Sequence, residues 1–178
     1  MWILAYCAAI LGCEDRQVDN ADGKVSPPDS SPLDTKSPDY IGTQYGPDSI
    51  PGVQRLSGAL VDPSTEPTKF AVAEVKDTKI HMLWFSELTH FDTKGKAHWI
   101  VRDVLTLPSL DSTEVVSLVG FCFVDQVRDP EVVAVAKWSD TEFYTEIVSA
   151  WRASRRTAHF APISVKGLRC ENEGYGAE

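Results

Sequence analysis

Short apolar runs separated by turn residues most strongly constrain the fold of this chain between residues 53 and 170. Runs of this kind, rich in Val, Ile, Phe and Trp and bounded by Gly, Pro and Asp, are typical of β-strands. We predict strands at 53–61, 70–75, 79–88, 98–107, 115–124, 132–138 and 163–168. Most connections are short, which favours antiparallel pairing of neighbouring strands. A turn at 92–96 should use Gly95 for a positive φ.

One helix is predicted between the last two of these strands. Ser139 and Glu142 have the spacing of a capping box, in which each side chain satisfies a backbone amide of the other residue. The residues that follow at helical spacing are Phe143, Ile147, Ala150, Trp151 and Ser154. We therefore predict an α+β fold: an antiparallel β-meander or small barrel of about six strands, with one helix followed by a last strand.

The four cysteines divide into two groups. Cys7 and Cys13 lie near the N-terminus, and Cys122 and Cys170 lie within the region of the predicted strands. In an exported domain two cysteines are most naturally explained as one disulfide, so we predict a Cys122–Cys170 bond. The alternative is two separate thiols, one buried in a strand and one near the C-terminus.

Residues 2–11 form an uncharged, largely apolar run. A transmembrane helix needs about 20 such residues, whereas the core of a signal peptide needs roughly 7–15. The run is followed at once by polar, proline-rich sequence. Its length and its position therefore favour an export signal at residues 1–12.

The end of this run resembles the lipobox of bacterial lipoproteins, which is an aliphatic residue, a variable one, a small one and then cysteine. Ile10, Leu11, Gly12 and Cys13 match that order. The resemblance implies export, acylation of the Cys13 thiol and cleavage before Cys13, so that the lipid bilayer becomes a partner of the mature chain. With Glu14 next in the sequence, it also implies the periplasmic face of the outer membrane if the cell is Gram-negative.

The remaining chain divides into a tether, one domain and a tail. Residues 13–52 contain six prolines among Ser, Asp, Thr and Gly, and too few apolar residues to offset the entropy of ordering. We predict a disordered tether there, with Tyr40 and Tyr45 already able to pack on the domain. Residues 53–170 should form a single globular domain, and 171–178 a flexible tail.

The net charge of −9 argues against binding to nucleic acid and is compatible with a basic protein partner. No nucleophile elbow, P-loop, HExxH motif or dinucleotide fingerprint is present, so we predict no cofactor and no metal site.

Three groups of residues could still carry chemistry. Glu87, His90, Asp92 and His98 flank one predicted hairpin and could act as an acid–base pair or as metal ligands. The simpler alternative is that they are solvated side chains around an exposed turn. The other two groups are an anion site at Arg152, Arg155, Arg156 and His159, and a ligand cage at Trp84, Trp99, Trp138 and Trp151. Helix-terminal charge and ordinary core packing are their simpler explanations.

The first functional hypothesis is a non-catalytic binding or interaction domain anchored in the bacterial envelope, with an inhibitor or immunity protein as a variant. The second is a small envelope hydrolase that uses Glu87, His90 or His98. The third is a structural envelope component.

Overall fold

The computed structural model describes residues 39–46, 50–62, 64, 68–78 and 80–176. The predicted signal peptide, Cys13 and most of the predicted tether lie outside the described residues. The strands are β1 (Gln44–Tyr45), β2 (Gln54–Leu60), β3 (Phe70–Lys76), β4 (His81–Phe91), β5 (Ala97–Thr106), β6 (Glu114–Ser117), β7 (Cys122–Val124), β8 (Val127–Arg128), β9 (Val132–Lys137), β10 (Phe143–Tyr144), β11 (Ile147–Ser154), β12 (His159–Pro162) and β13 (Leu168–Glu171).

These strands form three antiparallel sheets. Sheet A has the order β1-β5-β4-β3-β2, sheet B the order β12-β11-β9-β6, and sheet C the order β10-β13-β7-β8. The predicted α+β fold is wrong, because thirteen strands are present and the described residues contain no helix. Within the described part of the chain, it follows that no helix is long and apolar enough to span a membrane.

Strand β9 is buried on both of its faces, which places sheet B between the other two sheets. Val133 and Val135 are fully buried and belong to a core cluster that includes Phe85 of sheet A. Val132 and Ala134, on the alternate face, pack in a second cluster with the cysteines of sheet C. Successive side chains of a strand point to opposite faces, so one strand contributes to both cores.

The opposite face of sheet A is partly covered by an N-terminal strap, by which we mean residues 39–46 and 50–53. The rings of Tyr40 and Tyr45 pack against Trp84, with centroids 5.0 and 5.6 Å away. Ile50 and Val53 join the same cluster, and β1 pairs with the outer edge of β5. Described structure therefore reaches back to Asp39, into the second half of the segment predicted to be a tether.

The predicted helix after Ser139 is replaced by the strands β10 and β11. Every residue of β9 from Val132 to Ala136 is buried, so the backbone groups on both of its edges need partners. Strand β6 pairs with one edge, and β11 supplies the partners on the other. A helix over the same residues could not complete this ladder, so the long-range pairing overrides the local helical spacing.

The segment that contains the predicted capping box, residues 139–142, forms a turn and not the start of a helix. The Thr141 hydroxyl donates to the Phe143 carbonyl at 2.9 Å and lies 2.8 Å from the Ser139 hydroxyl. The side-chain amide of Asn172 donates to the carbonyls of Ser139 and Thr141 at 3.1 and 3.0 Å. The turn is thus held by a residue of the predicted flexible tail.

Several predicted strands are confirmed, while two regions differ. Strands β2, β3, β4, β5 and β9 lie where apolar runs predicted them, and Gly95 has a positive φ of 74° in the predicted turn. The predicted strand 115–124 is divided into β6 and β7 at Gly120, whose φ of 92° turns the chain from sheet B into sheet C. The predicted strand 163–168 is wrong, because β12 ends before it and β13 begins at its last residue.

The predicted disulfide is confirmed. Cys122 and Cys170 are bonded and are directly opposite each other on β7 and β13. Both are completely buried, and the bond packs on Val132, Ala134 and Ala150 of sheet B. The bond therefore fixes sheet C at the position where it covers the second core.

Removing this bond should lower stability substantially. The cysteines are separated by 48 residues, and for a loop of this length the chain-entropy model gives about 4 kcal/mol. We expect the double variant Cys122→Ala/Cys170→Ala to lose about that much free energy of unfolding in a denaturant titration. The matched control is the same titration under reducing conditions, in which the parent should lose its advantage over the double variant. An unchanged midpoint in the double variant would contradict this role of the bond.

A group of charges joins β6 and β9 at the end of sheet B. The Lys137 ammonium donates to Asp111 at 2.6 Å and to Glu114 at 3.0 Å. Hydrogen bonds from Lys137 and Thr113 lower the pKa of Asp111 to about 2. The ionised carboxylate is therefore favoured by the folded chain.

This lowered pKa should be visible as acid sensitivity. The unfolded chain takes up a proton on Asp111 near pH 4, whereas the folded chain does so near pH 2. The contribution of Asp111 is present above pH 4 and is lost as the pH falls toward 2. We expect the melting temperature of Asp111→Asn to fall less between pH 4 and pH 2 than that of the parent. If the melting temperatures of the parent and of Asp111→Asn fall equally between pH 4 and pH 2, Asp111 does not contribute to the acid sensitivity.

Candidate binding cleft

Three of the four residues predicted at the β4–β5 hairpin lie together. The rings of His90 and His98 stack with centroids 4.6 Å apart, and His98 Nε2 lies 3.7 Å from Asp92 Oδ2. The His98 ring also lies against Gly46, where a Cβ would be only 2.8 Å from its Cε1 atom. Glu87 instead forms an ion pair with Arg102 at 2.7 Å.

The proton arrangement around His90 does not suit a nucleophile and its base. The Thr89 hydroxyl donates to the His98 carbonyl at 2.9 Å, and His90 Nδ1 lies 3.1 Å from the hydroxyl oxygen of Thr89. A hydroxyl has one proton, so Thr89 can only accept from His90, whose Nδ1 must then carry a proton. His90 cannot accept a proton from Thr89 in this arrangement.

Asp92 has a structural use within the turn. Its Oδ1 atom accepts hydrogen bonds from the backbone amides of Lys94 and Lys96, both at 2.8 Å. The bond from Lys96 is the main cause that lowers the pKa of Asp92. In the described part of the chain, no group of three or more His, Cys, Asp or Glu side chains is placed to hold a metal ion.

Two of the three arginines predicted as an anion site, Arg152 and Arg155, are paired with carboxylates. Arg152 pairs with Asp129 at 2.5 Å. Arg155 pairs with Asp62 at 2.6 Å and with Glu131 at 2.8 Å. These bonds join loops at the ends of the sheets, so the positive charge has a structural role.

The predicted tryptophan cage is not assembled. Trp84 is buried under the N-terminal strap, whereas Trp138 is 60% exposed. Trp151 packs against the core between sheets A and B. Trp99 lies elsewhere, at a cleft on sheet A.

Sequence reasoning missed a polar group that strand pairing brings together. The Ser57 hydroxyl donates to Glu74 Oε2 at 2.5 Å, and His81 Nε2 lies 2.8 Å from Glu74 Oε1. The carboxylate lies between the other two groups, so His81 does not reach the hydroxyl as it would in a Ser–His–Asp triad. Only the register of β2, β3 and β4 could have indicated this group.

The feature best suited to a ligand is the β2 cleft, an open depression of about 490 Å³ on the strap-covered face of sheet A. This volume lies within the range of small-molecule and side-chain pockets. Its floor is made of small residues, among them Gly58, Ala71 and Ala73. Tyr45 and Trp99 line it as well.

Four of the six residues that β2 contributes to this cleft are exposed. Leu56 and Leu60 are each 44% exposed, although both are large and apolar. Arg55, also exposed, is the charged residue among those that line the cleft. An aromatic wall, an apolar edge and one cation together suit an apolar ligand that carries a negative charge.

Tyr45 connects the strap with this cleft. Its hydroxyl donates to Ser86 at 2.9 Å, and Ser86 is fully buried. Burial raises the pKa of Tyr45, while the positive charge of Arg55 acts in the opposite direction. The Arg55 side chain therefore acts electrostatically on the Tyr45 wall of the cleft.

Searches against protein-family models, curated proteins and solved structures found no match. The function must therefore be inferred from the residues of this chain.

The influence of Arg55 on the cleft can be measured through Tyr45. We expect Arg55→Gln to raise the pKa of Tyr45 further, because the substitution removes a positive charge that favours the phenolate. Ultraviolet titration of the parent and of Tyr45→Phe would identify the Tyr45 transition. The matched control is Arg102→Gln, which removes an arginine that does not line the cleft. An identical Tyr45 titration in parent and Arg55→Gln would place Arg55 away from the cleft.

Proposed function

We propose that this chain is a bacterial envelope lipoprotein whose folded domain is a non-catalytic binding module. The observation that carries the binding role is the β2 cleft, where Tyr45, Trp99 and Arg55 face a floor of small residues. Such a site has an apolar surface for contact and one charge for orientation, which is the usual composition of a binding site.

The proposed location rests on the lipobox-like Cys13 and is supported by the disulfide. Buried structural disulfides persist mainly in oxidising compartments outside the cytoplasm. The Cys122–Cys170 bond is completely buried between two sheets. An exported domain held by a lipid at Cys13 is consistent with both features, and two or more acyl chains are enough for stable attachment.

Binding is favoured over hydrolysis because the candidate catalytic groups have other bonds. Glu87 is paired with Arg102, and His90 donates toward Thr89. A general base must lie within hydrogen-bond reach of the proton that it removes, and the Thr89 proton is directed to the His98 carbonyl and not to His90. An inhibitor or immunity protein is one form that the binding role could take.

The anchor can be tested by substitution of the predicted lipid site. In a host that exports lipoproteins, we expect the wild-type chain in the membrane fraction, with an intact mass that starts at an acylated Cys13. Cys13→Ala should be unacylated and should leave the membrane fraction. Cys7→Ala is the matched control and should behave like wild type. If wild type and Cys13→Ala have the same fractionation and no acyl mass, the anchor proposal is wrong.

A further inference from the structure

We infer that the β2 cleft binds the free C-terminal end of an extended peptide, which adds to β2 as an antiparallel strand. This inference rests on the proposed binding function and names the ligand class of that site. It depends on three observations, namely a free strand edge, a cleft beside it and a cation at one end of that edge.

The outer edge of β2 has unused hydrogen-bonding groups. Strand β2 is last in the order of sheet A, and no described strand pairs with its outer side. The Val61 amide donates to the Phe70 carbonyl at 2.9 Å, so Val61, Ala59 and Ser57 direct their backbone groups toward β3. The alternate residues Gly58 and Leu60 then direct theirs outward. These outward groups can form a ladder with an added strand.

The cleft can accept a side chain of that strand. Gly58 has no side chain, and a Cβ built there would meet nothing closer than 3.5 Å. Such a Cβ would be in ordinary van der Waals contact with Ala73, its partner on β3, so without it the neighbouring cleft is floored by the small side chains of Ala71 and Ala73. Leu60 and the Trp99 ring supply apolar surface in the same cleft. An aliphatic side chain next to Gly58 would be well packed in this space.

The charge of Arg55 decides the direction of the peptide. An antiparallel strand ends where β2 begins, so its terminal carboxylate would lie close to Arg55 near the start of β2. A parallel strand would bring a positively charged amine to the same place. Ion pairs of the described residues engage other arginines, but none of them includes Arg55. Its charge is therefore available for a carboxylate.

The edge also contains a natural stop for an added strand. The register of β2 shifts between Arg55 and Ser57, which leaves Leu56 as a bulge. Bulges disrupt the regular ladder and commonly end strand pairing. A strand that pairs along Leu60 and Gly58 should thus end at Leu56, within reach of the Arg55 side chain.

The test is a binding titration with the full chain in lipid nanodiscs. The probe is a dye-labelled peptide of alternating threonine and leucine with a free C-terminal leucine carboxylate, followed by fluorescence anisotropy. We expect saturable binding that becomes about tenfold weaker or more when the peptide is amidated, because a charge-assisted hydrogen bond is lost. N-methylation of the peptide backbone should also weaken binding, because it removes donors to β2.

Two variants connect binding to the cleft. Arg55→Gln should weaken binding of the carboxylate peptide about tenfold or more and should have little effect on the amidated peptide. Gly58→Leu should fill the cleft and abolish binding of both peptides. Arg102→Gln is the matched control and should bind like the parent. Arg55 is exposed, so Arg55→Gln remains informative even if Gly58→Leu does not fold.

The outcomes separate this inference from the proposed function. Equal binding of the carboxylate and amidated peptides, or equal binding by Arg55→Gln and the parent, would overturn the C-terminal recognition. No saturable binding in correctly folded, lipidated protein would overturn the peptide inference, while the anchor would stand. If the chain is not acylated, the same titration in solution still tests the cleft, and only the anchor fails.

Discussion

The double burial of β9 is the constraint on which the rest of the structure depends. A strand with apolar side chains on both faces needs a layer on each side and a paired strand on each edge. Sheet A and sheet C provide the layers, while β6 and β11 provide the edges. Each fully buried valine contributes about 1.5–3 kcal/mol relative to an exposed one. The burial of this strand thus stabilises the three-sheet arrangement relative to a single meander with a helix.

The two faces of sheet A have different roles. One face belongs to the core shared with sheet B, and Val72, Leu83 and Phe85 are completely buried there. The other face is covered by the N-terminal strap only in part, around Trp84. Because the strap does not extend over Gly58 and Leu60, the small residues of β2 and β3 line an open cleft. Incomplete coverage of a sheet therefore produces the candidate binding site.

The sequence alone correctly predicted the elements that are determined by local sequence signals. The apolar runs predicted β3, β4 and β5, the turn at Gly95 was correct, and the two cysteines of the domain indicated their bond. The helix prediction failed because the spacing of Phe143, Ile147 and Trp151 is also compatible with short strands, and the choice depended on pairing with β9. The cleft could not be predicted, because Tyr45 and Arg55 approach each other only after the strap folds across sheet A. Strand register and the path of a loop depend on long-range contacts, which the periodicity of apolar residues along the sequence does not indicate.

The disulfide has a consequence for resistance to proteases. The chain between Cys122 and Cys170 includes β9, β11 and β12, which form most of sheet B. A protease that cuts one peptide bond in any loop of this segment leaves both fragments in a single covalent molecule. The cut ends could not diffuse apart, and the layers on either side of sheet B would still hold the strands in place. In a compartment rich in proteases, a single cleavage in this segment would therefore not release it from the rest of the chain.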